Sequence, residues 1–82
     1  MSHTPHELPE EFPESAALIA RLKQKDQRFN QLADDYHAVN FQIYRVEAQI
    51  ESMDDATLED LKKRRLLLKD KIATVLRGAK TS

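Results

Sequence analysis

Cysteine and tryptophan are absent from this chain of 82 residues, and glycine occurs once. Without cysteine, neither a disulfide framework nor a thiolate metal site can form. No stretch approaches the roughly 18 consecutive apolar residues that a membrane-spanning helix needs. The first residues contain neither a basic cluster nor an apolar run, so a signal peptide is not expected. We therefore predict a cytoplasmic protein with no membrane partner.

The sequence also lacks the patterns that mark most catalytic and cofactor sites. It has no glycine-rich phosphate loop, no nucleophile elbow and no carboxylates spaced to converge on one pocket. His3 and His6, with Glu7, offer at most a loose metal site, because two histidines near a chain end need further ligands to hold a metal ion. We predict that the protein is not an enzyme and has no metal site, no cofactor and no small-molecule substrate.

The net charge of −1 hides an uneven distribution of charged residues. Residues 1–20 contain four acidic residues and no basic one, whereas residues 53–82 contain eight basic and five acidic residues. An acidic head and a basic tail can attract each other or bind different partners. A protein that binds nucleic acid without sequence preference is usually more basic overall.

Apolar residues recur every three or four positions along two long segments, and this spacing predicts helices over 27–52 and 56–77. The short turn between them makes the two helices antiparallel neighbours. We predict an all-α fold, an antiparallel hairpin of long helices packed in a coiled-coil-like manner and preceded by a short N-terminal helix. The seam of the first long helix comprises Phe29, Leu32, Tyr36, Val39, Ile43, Val46, Ile50 and Met53. The seam of the second comprises Leu58, Leu61, Arg65, Leu68, Ile72 and Val75.

The ends of the chain are less regular. All three prolines lie within residues 1–13, so residues 1–12 are predicted to form a flexible, extended arm. Phe12-Pro13-Glu14 resembles a helix start, since proline suits the first turn of a helix. We therefore predict a single domain over 13–78, whose first helix spans 13–25.

Two helix boundaries depend on single residues. Asp26 can cap a new helix that begins at Gln27, although no proline or glycine excludes one continuous bent helix. Gly78 stands where the last helix is expected to end, and residues 79–82 are expected to fray.

Arg65 is the one polar member of the two seams. Antiparallel pairing predicts that Ile50 faces Leu61 and that Arg65 lies level with Val46. We interpret Arg65 as a structural residue that pairs with Glu47 at the edge of the seam. An anion site is the alternative interpretation.

Two surfaces are candidates for binding. The first is an apolar patch outside the seam, which either is covered by the N-terminal segment or serves a weak homodimer or a partner helix. Its residues are Phe41, Tyr44, Leu66 and Leu67. The second is a basic face on the last helix, for which a solvated surface is favoured over contacts with nucleic acid, because consecutive residues on a helix point in different directions. Its residues are Lys62, Lys63, Arg64, Lys69 and Lys71.

The chain from residue 12 to about residue 76 resembles the YdcH-like family of small bacterial proteins of unknown function. The residues that carry the resemblance are Phe12-Pro13-Glu14, Leu18-Ile19, Leu22-Lys23, Phe29, Tyr36, Asn40, Ile43, Arg45, Glu47, Leu61-Lys62-Lys63, Arg65-Leu66 and Leu68-Lys69-Asp70-Lys71-Ile72. The resemblance implies a bacterial source and a helical hairpin after a short helix, and it implies no activity. Our leading hypothesis is a small helical protein-interaction module that acts as an adaptor or modulator. The alternative is a weak nucleic-acid-associated protein.

Overall fold

A computed structural model describes residues 4–81, with side chains described as far as residue 79. Within this range the chain forms four α-helices and one turn of 3-10 helix, and it contains no strand. The helices are α1 (Leu8–Glu11), α2 (Ala16–Lys25), α3 (Gln27–Glu47) and α4 (Asp55–Thr81), and the 3-10 turn is Pro13–Ser15. The predicted all-α fold with a long hairpin is confirmed, because α3 packs along α4 while α2 packs against α3.

The break between α2 and α3 is made by one residue. Asp26 has an extended backbone with φ −123° and ψ 107°, which no α-helix accommodates. Its carboxylate accepts hydrogen bonds from the backbone N–H of Arg28 at 3.0 Å and of Phe29 at 3.2 Å. Such a cap contributes about 1 kcal/mol to stability. Of the two possibilities that the sequence left open, the structure therefore has two separate helices.

The turn of the hairpin is longer than the seam pattern predicts. Helix α3 ends at Glu47 rather than at residue 52, and Gln49 adopts a left-handed backbone with φ 62°. Asp54 then caps α4, since its carboxylate accepts hydrogen bonds from the N–H of Thr57 at 3.3 Å and from the Thr57 hydroxyl at 2.6 Å. Ile50 falls in the loop and is 61% exposed, so the predicted contact between Ile50 and Leu61 is wrong.

The predicted end of the last helix at Gly78 is also wrong. Helix α4 continues through Gly78 to Thr81, and a Cβ added at Gly78 would meet no atom within 4 Å. The glycine has no left-handed backbone here, so it does not act as a C-cap. Residue 82, part of the predicted frayed end, lies outside the described residues.

The first residues differ most from their prediction as an extended arm. Residues 4–12, here called the N-terminal segment, contain the single helical turn α1, and Leu8 is only 5% exposed within the core. Pro9 lies in the first turn of α1, where its fixed φ is favourable, and Glu10 and Glu11 complement the positive helix end. The folded unit therefore begins before residue 13. Residues 1–3 lie outside the described range.

The core lies between α3, α4, α2 and the N-terminal segment. Its buried apolar residues are Leu8, Ile19, Phe29, Ala33, Tyr36, Val39, Ile43, Leu68, Ile72 and Leu76. On α3 the buried stripe includes Ala33 and Asn40 as well as four of the seam positions, Phe29, Tyr36, Val39 and Ile43. A stripe three positions wide in each heptad is typical of a helix packed on two sides. The hairpin is therefore stabilised by a further layer and not by the two-helix seam alone.

Two isoleucines that occupy equivalent positions in the predicted seam provide a test of this core. Ile43 is 0% exposed and Ile50 is 61% exposed. We expect Ile43→Ala to lower the free energy of unfolding by about 2–5 kcal/mol, as large-to-small substitutions in a core do. Ile50→Ala should change it by less than about 1 kcal/mol, as at most surface positions. Urea denaturation followed by circular dichroism measures both, and equal losses would contradict the observed end of α3.

Candidate interaction surfaces

A layer of buried polar groups attaches the N-terminal segment to the hairpin. The Tyr36 hydroxyl donates to the carbonyl oxygen of His6 at 2.6 Å, and the Asn40 side-chain amide donates to that of Pro5 at 2.8 Å. Arg65 donates to the Asn40 oxygen at 2.9 Å. Tyr36 and Asn40 are 0% and 1% exposed, so leaving these groups unpaired would cost about 1–3 kcal/mol each. Periodicity alone identified Tyr36 but not Asn40.

Arg65 and Glu47 do not form the pair that the sequence predicts. Arg65 binds Asn40, while Lys62 approaches Glu47 with 3.4 Å between Nζ and the carboxylate oxygen. The physical reason is the loop of residues 48–54, which takes up residues that the seam pattern had assigned to α3 and so shifts α4 along its partner. Arg65 nevertheless has a structural contact, because it holds a buried side chain of the facing helix.

Charged contacts add to the attachment of the N-terminal segment. His37 Nδ1 lies 2.7 Å from a carboxylate oxygen of Glu7, and Lys69 donates to Glu11 at 3.1 Å. His6 Nδ1 lies 3.6 Å from Glu11. Burial raises the pKa of the Glu11 carboxyl, but the hydrogen bond and charge of Lys69, together with the contact from His6, outweigh it and hold the pKa below its usual value. The acidic head therefore attracts the basic tail within one chain.

The residues considered for a loose metal site are directed elsewhere. His3 lies outside the described residues. His6 contacts Glu11 while Glu7 contacts His37, so these side chains do not converge on a common point. Among the residues that the structure describes, no group of three or more histidine or acidic side chains is placed to hold a metal ion.

The predicted basic face is divided between two sides of α4. Lys62 and Lys69 lie on the side of the N-terminal segment and pair with Glu47 and Glu11. The other three lie in a groove of about 430 Å³ on the opposite side, between α3 and α4. We call it the basic groove, and it is lined by Leu32, Asp35, Lys63, Arg64, Leu67 and Lys71, with the buried Leu68 beneath them. The division follows from the rotation of about 100° per residue along an α-helix.

The predicted apolar patch is divided in the same way. Phe41 is 40% exposed, and its ring stacks between those of His37 at 6.2 Å and Tyr44 at 6.1 Å. We call these three residues the aromatic cluster. Leu66 is 60% exposed beside His6 and Glu11 on the side of the N-terminal segment. Leu67 is 55% exposed and lines the basic groove, so it does not belong to the same patch as Leu66.

An open cleft also forms where the N-terminal segment crosses α2 and α3. It has a volume of about 420 Å³, with Leu8 and Ile19 on its apolar side and Lys23, Asp34 and His37 among its polar residues. This cleft was not predicted from the sequence, because residues 1–12 were predicted to be extended. In the structure Ala33 is buried although a two-helix seam does not require it, as expected where a further layer covers α3.

No helix within residues 4–81 is long and apolar enough to cross a membrane. The fold and these surfaces define a small all-α protein in which a long helical hairpin is covered on one side by a short helix and a docked N-terminal segment. The family described as "Protein of unknown function (DUF465)" matches residues 29–76, and the chain belongs to this family. The matched residues cover nearly all of α3, the loop and most of α4.

Two related proteins extend the similarity beyond the hairpin. The chain is 35% identical to the uncharacterised protein YdcH of Escherichia coli strain K12 over 65 residues, which cover 79% of this chain and 88% of that protein. The similarity to YdcH of Shigella flexneri has the same extent and identity. The predicted resemblance to a YdcH-like family is therefore confirmed. No solved structure matches the chain significantly.

The buried hydroxyl of Tyr36 predicts a dependence of stability on alkaline pH. Burial, aided by the charge of Glu11, raises the pKa of Tyr36 from 10.0 to about 12. A raised pKa means that the folded state keeps a proton that the unfolded state loses, so this contribution is complete below pH 10 and is lost as the pH rises towards 12. Tyr36→Phe should cost about 1 kcal/mol at neutral pH through the lost hydrogen bond.

The difference in stability between the wild type and Tyr36→Phe should therefore shrink as the pH rises from 10 to about 12. Urea denaturation at several pH values measures it. Tyr44→Phe is the matched control, since Tyr44 lies in the same helix and is partly exposed. A difference for Tyr36→Phe that stays constant over this range would contradict the prediction.

Proposed function

We propose that this protein is a small helical interaction module of the cytoplasm, which binds another protein through exposed side chains of its hairpin and is not an enzyme. The observation that supports the proposal is the exposure of large apolar side chains beside a core that is already filled. Among the side chains that the structure describes, four of this kind are exposed by 40% or more: Phe41, Ile50, Leu66 and Leu67.

The aromatic cluster is the strongest part of this argument. Single exposed apolar residues are common on protein surfaces, but Phe41 and Tyr44 lie next to each other and their rings stack. The guanidinium group of Arg45 lies 5.9 Å from the centre of the Phe41 ring. Aromatic residues and arginine are enriched in protein interfaces, where they supply much of the binding energy. The internal contacts of Phe41 and Tyr44 also hold the rings in a defined arrangement before a partner binds.

Binding to nucleic acid remains the alternative proposal, but the structure supports it less. Contacts with phosphates need several cations on one face. Here Lys62 and Lys69 pair with acidic residues, which leaves only three cations of the predicted basic face in the basic groove. The groove has no aromatic residue among its lining residues on which a base can stack.

Site-specific photo-crosslinking in cells of the source organism tests the proposal. A photoreactive phenylalanine analogue replaces Phe41 or Leu67 in the full chain, and in a control it replaces the exposed Glu59 of α4. We expect discrete protein adducts from position 41 or 67 and not from position 59. Equal labelling from all three positions, or adducts with nucleic acid alone, would contradict an interaction module.

A second copy of the chain is one partner that the aromatic cluster can accept. Association through Phe41 and Tyr44 would bury two stacked rings in each copy, an area that supports only a weak dimer. Sedimentation equilibrium over a concentration series should show a mass that rises from monomer towards dimer. Phe41→Glu should remain a monomer at every concentration. A constant monomer mass for the wild type would reject self-association.

A further inference from the structure

The basic groove differs from the opposite side of α4 in having cations without internal partners. Lys62 and Lys69 are neutralised at 3.4 Å and 3.1 Å by Glu47 and Glu11. Lys63, Arg64 and Lys71 have no ion pair or hydrogen bond from their side chains to any residue between 4 and 79. Only one carboxylate, that of Asp35, lines the groove with them, and it accepts a hydrogen bond from Gln31 at 2.9 Å. The groove therefore carries an excess of positive charge.

The same groove has an apolar centre. Leu67 is 55% exposed within it, and the partly buried Leu32 faces it from α3 above the buried Leu68. Arg64, Leu67 and Lys71 are three and four residues apart, so they form one stripe along α4 with the apolar residue between two cations. A partner helix that lies along α4 can contact all three residues if it has one apolar residue opposite Leu67. Carboxylates about one turn before and after that residue then lie opposite the two cations.

We propose that the basic groove binds an acidic amphipathic helix of a partner protein, with an apolar side chain of that helix against Leu67 and its carboxylates beside Lys63, Arg64 and Lys71. This proposal rests on the proposed function as an interaction module. Charge complementarity determines the kind of partner, because opposite charges across an interface favour encounter and like charges exclude a wrong partner.

The charges also argue against other occupants of the groove. A two-fold dimer places the same surface of each copy against the other, which would bring the cations of one groove close to those of the other. The described acidic residues Glu7 and Glu11 of the N-terminal segment are held by His37 and Lys69. A phosphate backbone offers no apolar group to cover Leu67, which is 55% exposed at the centre of the groove. The favoured occupant is therefore a helix from another protein.

Two adjacent leucines make a matched test. Leu66 and Leu67 are 60% and 55% exposed in the same helix, but only Leu67 lines the groove. Leu66→Asp and Leu67→Asp have the same composition and the same net charge. The probe is a fluorescently labelled synthetic helix with leucine on one face and glutamate beside it, and a control peptide has lysine in place of each glutamate. Binding of each peptide to the full-length protein is measured by fluorescence anisotropy.

We expect the glutamate peptide to bind and the lysine peptide not to bind. Leu67→Asp should weaken binding about tenfold or more, as loss of a central apolar contact does. Leu66→Asp should change the affinity by less than about twofold, as at a position outside the interface. Arg64→Glu should weaken binding, whereas Arg21→Glu, an exposed arginine within α2, should not. Circular dichroism melting curves show whether each variant is folded, and the charge variants test the groove independently of the leucine variants.

The opposite results would overturn the groove as the site. They are equal effects of the two leucine variants, an effect of Leu66→Asp alone, or no binding of the glutamate peptide. Photo-crosslinking from Phe41 can still succeed in each of these cases, so failure here is distinguishable from failure of the interaction module. Tighter binding of a single-stranded oligonucleotide or of anionic vesicles, sensitive to Leu67→Asp, would assign the groove to nucleic acid or to lipid and would also overturn the proposal.

Discussion

The side chain of Asn40 joins three parts of the molecule that are distant in the sequence. Its amide group donates to the carbonyl oxygen of Pro5, and its oxygen accepts from Arg65 of α4. Since Asn40 is 1% exposed, both groups are shielded from water and need these partners. The position of α4 along α3 and the path of the N-terminal segment are therefore coupled through one amide. Apolar packing also holds α3 and α4 together, but it permits one helix to slide along the other more readily than these directional hydrogen bonds do.

The same arrangement explains why α4 has two different sides. The N-terminal segment brings Glu11 to Lys69, and the end of α3 brings Glu47 to Lys62. Within residues 4–79 no comparable acidic segment covers the other side, and Asp35 is the only carboxylate that lines the basic groove. A chain with almost no net charge therefore presents a locally cationic groove. Net charge alone does not reveal such a surface, because the acidic residues that balance it lie elsewhere in the fold.

The extent to which the sequence predicts this structure depends on which groups make the contacts. Side-chain spacing predicts the hairpin because apolar residues recur with the period of a helix in each of the two long segments. Tyr36 and Ile43 of α3 and Ile72 of α4 belong to these repeats, and all three are buried. The docking of the N-terminal segment was not predictable in this way. It uses the main-chain carbonyl groups of Pro5 and His6 as acceptors. Every residue has such a carbonyl group whatever its side chain, so the residue types do not indicate this contact.

The register of the hairpin was mispredicted for a related reason. Gln49 reverses the chain with a left-handed backbone, although glycine or asparagine is the usual residue there, so no residue type marks the early end of α3. Because α4 is shifted, Arg65 reaches Asn40 instead of Glu47. The turn at Gln49, which no residue type indicates, is therefore the reason that several residues of α4 have contacts other than those predicted. Leu66 and Leu67 lie on different sides for a separate reason, the rotation of about 100° between successive residues of a helix.

The attachment of the N-terminal segment gives the molecule two levels of cooperativity. The segment contributes the buried Leu8 and the partly buried Phe12 to the core, and otherwise depends on hydrogen bonds and ion pairs at its edges. Breaking these contacts exposes Tyr36 and Asn40 while Ile43, Leu68 and Ile72 remain packed within the hairpin. Local opening therefore requires less free energy than global unfolding, and we expect the amide protons of Glu10, Glu11 and Phe12 to exchange with solvent sooner than those in the middle of α3. The buried polar groups therefore separate two parts that unfold at different free energies, the hairpin of α3 and α4 and the N-terminal segment that packs on it.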